Sequence, residues 1–425
     1  MGVSAVGRWS RFGGRLLAFL AVMGPGIITM NVDNDPGGIT TYSVMGARYG
    51  YRMLWTLIPM TLLLAVVQEM SARMGLATGK GLGDLIRERF GLRVTVLVMA
   101  LLVLTNFGNI LSEFAGVAAA GQLLGLPAAL AVALVAALVW WLVVRGSYRF
   151  VERVMLALTL LYFAYPASAW LARPDWGLVL RSLVHPVLQA DPEYVNLLMT
   201  AVGTTIAPWM IFYQQALTID KGLTWEDYPA ARADTYLGSF MTNFVPGSLF
   251  MIVACAAVLY PAGIRIETAA QAAQALAPLA GRYASLLFAV GLLNAAALSA
   301  SVVPLSTAHV VAEAFGWESR VGRRFREAPA FLGLYTAFIV LGALAVLWPG
   351  LNLIEVMLVS QLVNGIVLPL VLVFMLILVN DRAVMGAHVN GAWQNLLAYA
   401  GAALLVGIDL LLLLQGLFPG LLLPA

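Results

Sequence analysis

Two carboxylates lie inside a stretch that is otherwise apolar. From Gly24 to Ser43 the chain reads GPGIITMNVDNDPGGITTYS, with Asn31, Asp33, Asn34 and Asp35 at its middle and Pro36, Gly37 and Gly38 directly after. A run of this length would otherwise form one continuous membrane helix. Proline removes a backbone donor and glycine weakens the helix, so a break is expected over Asp35 to Gly38. Freed backbone at membrane depth is tolerated only against protein or a water-filled cavity, and carboxylates there mark ion or substrate paths. Asp35 offers a hard anionic oxygen and the freed carbonyls offer neutral ones, a donor set suited to Mg²⁺, Ca²⁺ or Mn²⁺. Asp33 reads as an acid of the surrounding hydration layer or an aqueous vestibule rather than a direct ligand.

A second interrupted stretch runs from Tyr194 to Leu217, YVNLLMTAVGTTIAPWMIFYQQAL, broken near its centre by Gly203, Thr204, Thr205 and Pro208. Hydroxyls there can cap freed backbone groups. Its candidate ligands are the carbonyls and hydroxyls of Thr204 and Thr205 and the carbonyl of Ala207. No cysteine, histidine or methionine side chain falls inside either break, with Met30 and Met210 only at the flanks. Soft transition metals therefore lack their preferred ligands, and water must complete the shell, which favours Mg²⁺. Glu113, in ILSEFAGVAAAG, is a further buried acid; it either binds or relays cations, or pairs with backbone and hydroxyl groups.

These residues must be held by membrane helices. The 425 residues are 61% hydrophobic and 11% charged, which excludes a soluble globular chain. Eleven apolar segments are expected, at about 16–47 (broken), 53–72, 94–121, 126–144, 150–171, 194–219 (broken), 235–260, 284–312, 329–348, 353–379 and 392–417. The basic region before the first is read as the start of a retained helix rather than a signal peptide. With the N-terminus cytoplasmic, 18 of the 24 Lys and Arg fall on the inner side, so the C-terminus is expected outside the cell membrane. The cluster VGRRFRE at 321–327 then reads as a topology-fixing inner loop.

The two broken segments stand five apart and cross in opposite directions. That pattern points to a secondary transporter built of two inverted halves with its site at the bilayer midplane. The halves are 16–171 and 194–379, joined by an outer loop at 172–193, with 392–417 as an added helix. One transmembrane transport domain over 1–425 is expected, acting as a monomer in the lipid bilayer. The net charge of +3 gives no reason to expect a nucleic-acid partner, and one cysteine, Cys255, excludes a disulfide framework. No histidine–acid pair or HExxH motif suggests an enzyme, and no cofactor is expected. Among other intramembrane polar residues, Glu69 and Glu313 are placed near helix ends where they can snorkel. His309 is read as interfacial and Asp409 as a structural hydrogen-bonding group, while Asn294, Ser299, Ser301, Ser306 and Thr307 form a polar stripe.

The chain resembles the NRAMP family of divalent metal transporters. The resemblance rests on GPG at 24–26, DPG at 35–37, GARYGYRMLW at 46–55, SEFAG at 112–116, SQ at 360–361 and LP at 368–369. It implies an all-α, LeuT-like 5+5 inverted repeat with helices 1 and 6 broken, eleven helices in all, and makes Asp35 the aspartate of the metal site. Departures from the family pattern are specific. Gly38 stands where the motif has asparagine; Ala207, Pro208 and Trp209 stand where it reads MPH; Gln214 replaces a second histidine; and Ile110 replaces an aspartate ahead of Glu113. This pattern resembles the NRAMP-related magnesium transporters. It implies carriage of Mg²⁺ and Mn²⁺ without proton coupling, with Asp35, Gly38, Thr204 and Ala207 at the metal and Asp33, Thr205, Trp209, Gln214 and Glu113 along the path.

Overall fold

The computed structural model describes residues 32–145, 163–189, 191–245, 247–318 and 325–417, and among these every regular element is a helix. In chain order the longer helices are α1 (Pro36–Tyr49), α2 (Leu57–Thr78), α3 (Leu82–Phe90), α4 (Leu92–Leu123), α5 (Ala128–Arg145), α6 (Ala164–Leu171) and α7 (Trp176–Val184). They continue with α8 (Pro192–Thr205), α9 (Pro208–Asp220), α10 (Tyr228–Phe244), α11 (Ser248–Val258), α12 (Ala284–Ala314), α13 (Pro329–Val346), α14 (Leu353–Asn380) and α15 (Ala392–Leu417). Eight spans among the described residues are long and apolar enough to cross a membrane. The motif at 24–26, most of the first segment before its break, most of the fifth segment and residues 321–324 of the arginine cluster lie outside the described residues.

Both expected breaks are present, each displaced from where composition alone puts it. In the first, the non-helical residues are Asn34 and Asp35, and Pro36, Gly37 and Gly38 already form the first turn of α1. Proline is tolerated at the first helical position because its missing N–H would have no partner there, and aspartate is a preferred N-cap. The second break falls at Ile206–Ala207, after the threonines rather than on them, and again proline opens the next helix. Asp35 and Ala207 are the extended cap residues of the two breaks, with φ/ψ of −70°/173° and −70°/139°. The threonines do not cap freed groups: Thr205 donates back to Ala201 O at 2.7 Å.

The seventh segment is not one helix. It splits into α10 and α11 around Val245–Gly247, where Val245 is extended. The sequence signal is Pro246-Gly247, a pair that stops one helix before the next begins.

Close backbone approach fixes the bundle around the first break. α4 packs along α12 and α14, α8 along α14 and α1, and α1 along α11. A Cβ on Gly203 of α8 would sit 1.9 Å from Gln361 O and 2.4 Å from Gly365 N of α14. One on Gly116 of α4 would sit 2.4 Å from the Pro36 ring. Only glycine allows these helices to meet at the level of the breaks.

Three outlying polar residues are more enclosed than their position near helix ends suggests. Glu69 does not snorkel: it is buried, pairs with Arg73 at 2.9 Å, and accepts from Tyr228 Oη at 2.6 Å and Gln394 Nε2 at 3.0 Å. Arg73 also donates to His388 O at 2.6 Å and to Asn390 Oδ1. This network satisfies a charge pair that solvent does not reach. Glu313 folds over Gly81 at the start of α3, and His309 is buried edge-on to Phe331 at 6.3 Å. Nearby, outside the spans, burial raises the Asp84 carboxyl above its usual range, with Arg87 opposing the shift.

Candidate metal site

Asp35 holds the turn together and still presents acceptor capacity. Its Oδ1 accepts the Gly38 N–H at 2.5 Å, and its Oδ2 accepts Gln361 Nε2 at 3.2 Å. Gln361 is in turn fixed by Asn364, whose Nδ2 donates to Gln361 Oε1 at 2.8 Å. Asn364 and Asn109 exchange amide hydrogen bonds at 3.0 and 2.7 Å. A relay of amides from α4 through α14 thus aims one donor at the Asp35 carboxylate. Each carboxylate oxygen has a second lone pair, so capping does not exhaust Asp35 as a ligand.

The space in front of Gly38 is bordered by oxygen. A Cβ built there would lie 2.8 Å from Asp33 O, 3.1 Å from Thr204 Oγ1 and 3.3 Å from Asp35 Oδ1. Gly38 itself contributes an absence of side chain, since its carbonyl belongs to the first turn of α1. Among the described residues Thr204 Oγ1 is buried without a hydrogen-bond partner, as is Asp33 Oδ1. Glu113, fully buried on α4, interacts electrostatically with Asp35, and among the described residues no donor reaches either of its oxygens. The structure therefore brings the Asp33 carbonyl, Asp35, Gly38 and Thr204 to one place, with Glu113 in electrostatic contact with Asp35. Acceptors facing each other with few donors between them are complementary to a cation and carry a free-energy cost without one.

The remaining candidates make other contacts. Thr205 Oγ1 is shared with Tyr42 Oη, which ties α8 to α1. Ala207 caps α9 and its carbonyl accepts Met210 N at 3.1 Å, leaving one lone pair. Trp209 is buried against Tyr213, ring centroids 6.0 Å apart, and Gln214 Nε2 reaches Thr235 Oγ1 at 3.5 Å. Ile110 is buried in the apolar core of α4. Among the described residues no group of three or more His, Cys, Asp and Glu is arranged to hold a metal, so a cation here would draw on hydroxyls, carbonyls and water beside Asp35. Gln361, Asn364 and Asn109 escape sequence reasoning; SQ at 360–361 marks the place without saying what it touches.

Comparisons with known proteins agree with this architecture. The profile described as natural resistance-associated macrophage protein-like (Nramp) matches residues 26–415. The divalent metal cation transporter MntH of Deinococcus radiodurans is 31% identical over 408 residues, covering 93% of this chain and 89% of that protein. Among solved structures, the Eremococcus coleocola manganese transporter superposes with a TM-score of 0.74 at 22% identity, over 94% of this chain and 88% of that one. MhsT, solved with L-phenylalanine, superposes with a TM-score of 0.59 at 17% identity, over 92% and 98%. The fold is thus LeuT-like, with inverted halves and two broken helices meeting at the centre. On the profile match and the overall similarity, the chain belongs to the Nramp family.

Proposed function

We propose that this protein moves divalent metal cations into the cytoplasm through the first break, chiefly hydrated Mg²⁺ and also Mn²⁺, without proton coupling. Relatives named as divalent metal and manganese transporters support the class of cargo. The observation that carries the ion preference is the border at Gly38, where the three nearest atoms among the described residues are all oxygens, from the Asp33 carbonyl, Thr204 and Asp35. Gly38 and Ala207 leave room for a cation that keeps part of its water, and Mg²⁺ parts with its water most reluctantly. Uptake follows the metal gradient and the membrane potential; at about 2.3 kcal/mol per elementary charge per 100 mV, a divalent ion gains roughly twice that. The working unit is a monomeric transport domain over residues 1–425, N-terminus cytoplasmic and C-terminus outside.

A second reading, a proton-coupled Mn²⁺ or Fe²⁺ importer of the general Nramp type, is favoured by one observation. Glu113 stands beside Asp35 with no donor on either oxygen among the described residues, an arrangement able to share a proton. Mg²⁺ influx into proteoliposomes, with Ca²⁺, Mn²⁺ and Cd²⁺ as competitors, separates the readings. Mg²⁺ flux inhibited by Mn²⁺ and little affected by Cd²⁺ supports the first; Mn²⁺ flux indifferent to excess Mg²⁺ supports the second.

A further inference from the structure

A crevice of about 810 Å³ lies between α15, α2 and α8, within the size range of ligand pockets, roughly 300–1,000 Å³. Its body is apolar, formed by residues such as Met60, Leu63, Val202, Ile206, Gly401 and Leu404. Its polar lining residues gather at one end. Gln394 at the start of α15 bonds Glu69 in the middle of α2, and Gly401 lies against Leu63, so the two helices run antiparallel and Gln415 lies toward the Trp55 end of the crevice. Trp55 Nε1 donates to Tyr194 Oη at 3.1 Å at this same end, beside Thr56 and Gln189.

The setting names the occupant. α15 is long and apolar enough to span the membrane, yet only 17% of its most apolar window is buried in the protein, so the crevice beside it opens toward hydrocarbon. An apolar cavity of this kind stays free of water. From Tyr194 to Ile206 is about 18 Å along the helix, close to the roughly 15 Å depth of one leaflet. Trp and Tyr at one end match the aromatic belt at which lipid glycerol groups sit. Gln415 Nε2 there is a buried donor with no partner among the described residues.

We propose that this crevice binds one membrane glycerophospholipid, its ester carbonyl accepting from Gln415 Nε2 and its acyl chain running down to Ile206. The chain end then lies against the C-cap of α8, the residue at which the second broken helix unwinds. Lipid occupancy thereby steadies the second break from the membrane side, independently of which ion is carried.

The test uses the purified full-length protein with dioleoylphosphatidylethanolamine as probe, read by native mass spectrometry and hydrogen exchange. Wild type is expected to retain one lipid through delipidation, and so is Leu396→Trp, which adds bulk on α15 outside the crevice. Ala400→Trp, which fills the crevice from an exposed position, and Gln415→Leu, which removes the donor, are expected to lose it. With lipid at about ten times its dissociation constant, amides of 202–206 should exchange about tenfold more slowly in wild type and unchanged in Ala400→Trp. Equal lipid retention by wild type and both crevice variants overturns the site. A dimer that persists after lipid removal and is split by Ala400→Trp assigns the crevice to a second copy instead, and also overturns it. Lipid retention without slowed exchange at 202–206 overturns the link to the break.

Discussion

Asp35 caps α1 and is the proposed metal ligand, and Asp35→Asn with Asp35→Ala separates the two roles. As N-cap it accepts from Gly38 N at 2.5 Å, and as partner of Gln361 it accepts at 3.2 Å. Alanine loses both contacts: about 1 kcal/mol for the cap and about 1–3 kcal/mol for a buried donor left unpaired, so the folded state should weaken by roughly 2–4 kcal/mol. Asparagine caps as well as aspartate. Its Nδ2 would face Gln361 Nε2, however, and the relay to Asn364 must rearrange at a cost near 1 kcal/mol. The charge is lost in both variants. At 4 Å and an effective dielectric constant near 20 a unit pair is worth about 4 kcal/mol, and a divalent ion doubles it before dehydration is subtracted. Metal binding should therefore fall by at least about a hundredfold, roughly 2.7 kcal/mol, in Asp35→Asn. Thermal unfolding and Mg²⁺ influx are measured on the same preparations. The expected outcome is near-native stability with flux at background for Asn, and lowered stability with flux at background for Ala. Wild-type flux from a stable Asp35→Asn protein would refute the ligand role and leave Asp35 as a helix cap alone.

Three further outcomes follow from the same geometry. Ala207→Met brings a thioether to the second break, and competition assays should show a gain in Cd²⁺ and Mn²⁺ transport; an unchanged Cd²⁺ response removes Ala207 from the site. Gly203→Ala forces a Cβ to within 1.9 Å of Gln361 O, so α8 and α14 must part and carry Gln361 off Asp35. A loss of about 1–3 kcal/mol in stability with reduced flux is expected, and native behaviour in both assays contradicts the described helix contact. Arg73→Ala strands the buried Glu69 carboxylate with Tyr228 and Gln394 as its remaining partners. Unfolding should show a cost of about 3–5 kcal/mol, whereas a change under about 1 kcal/mol would mean that Glu69 reaches solvent.

Sequence reasoning located both breaks because proline, glycine and a carboxylate inside apolar runs leave few alternatives. It placed the first too late: Pro36 and Gly37 read as helix breakers, yet after an aspartate cap they make a serviceable first turn. The split at Val245–Gly247 was signalled by Pro246-Gly247 but hidden by the apolar residues on both sides. The amide relay was not legible at all, since Gln361 stands 326 residues from Asp35, and Asn364 stands 255 from Asn109. Glu69 looked like a helix-end acid free to reach water because the partners that enclose it come from α10 and α15, far along the chain. The approach of Glu113 to Asp35 depends on Gly116 letting α4 close onto Pro36, a contact that a list of small residues suggests but does not specify.

The central claim is that the oxygen border at Asp35, Gly38 and Thr204 passes a hydrated hard divalent cation without a proton. Proteoliposomes loaded with a Mg²⁺ indicator and a pH-sensitive dye, held at an inside-negative potential, test it in one recording. The account predicts Mg²⁺ entry that grows with the potential, no internal acidification beyond that of empty liposomes, and loss of entry in Asp35→Asn. Metal-dependent acidification with Mn²⁺ as cargo, and no Mg²⁺ entry, would contradict it and point to Glu113 as the proton carrier.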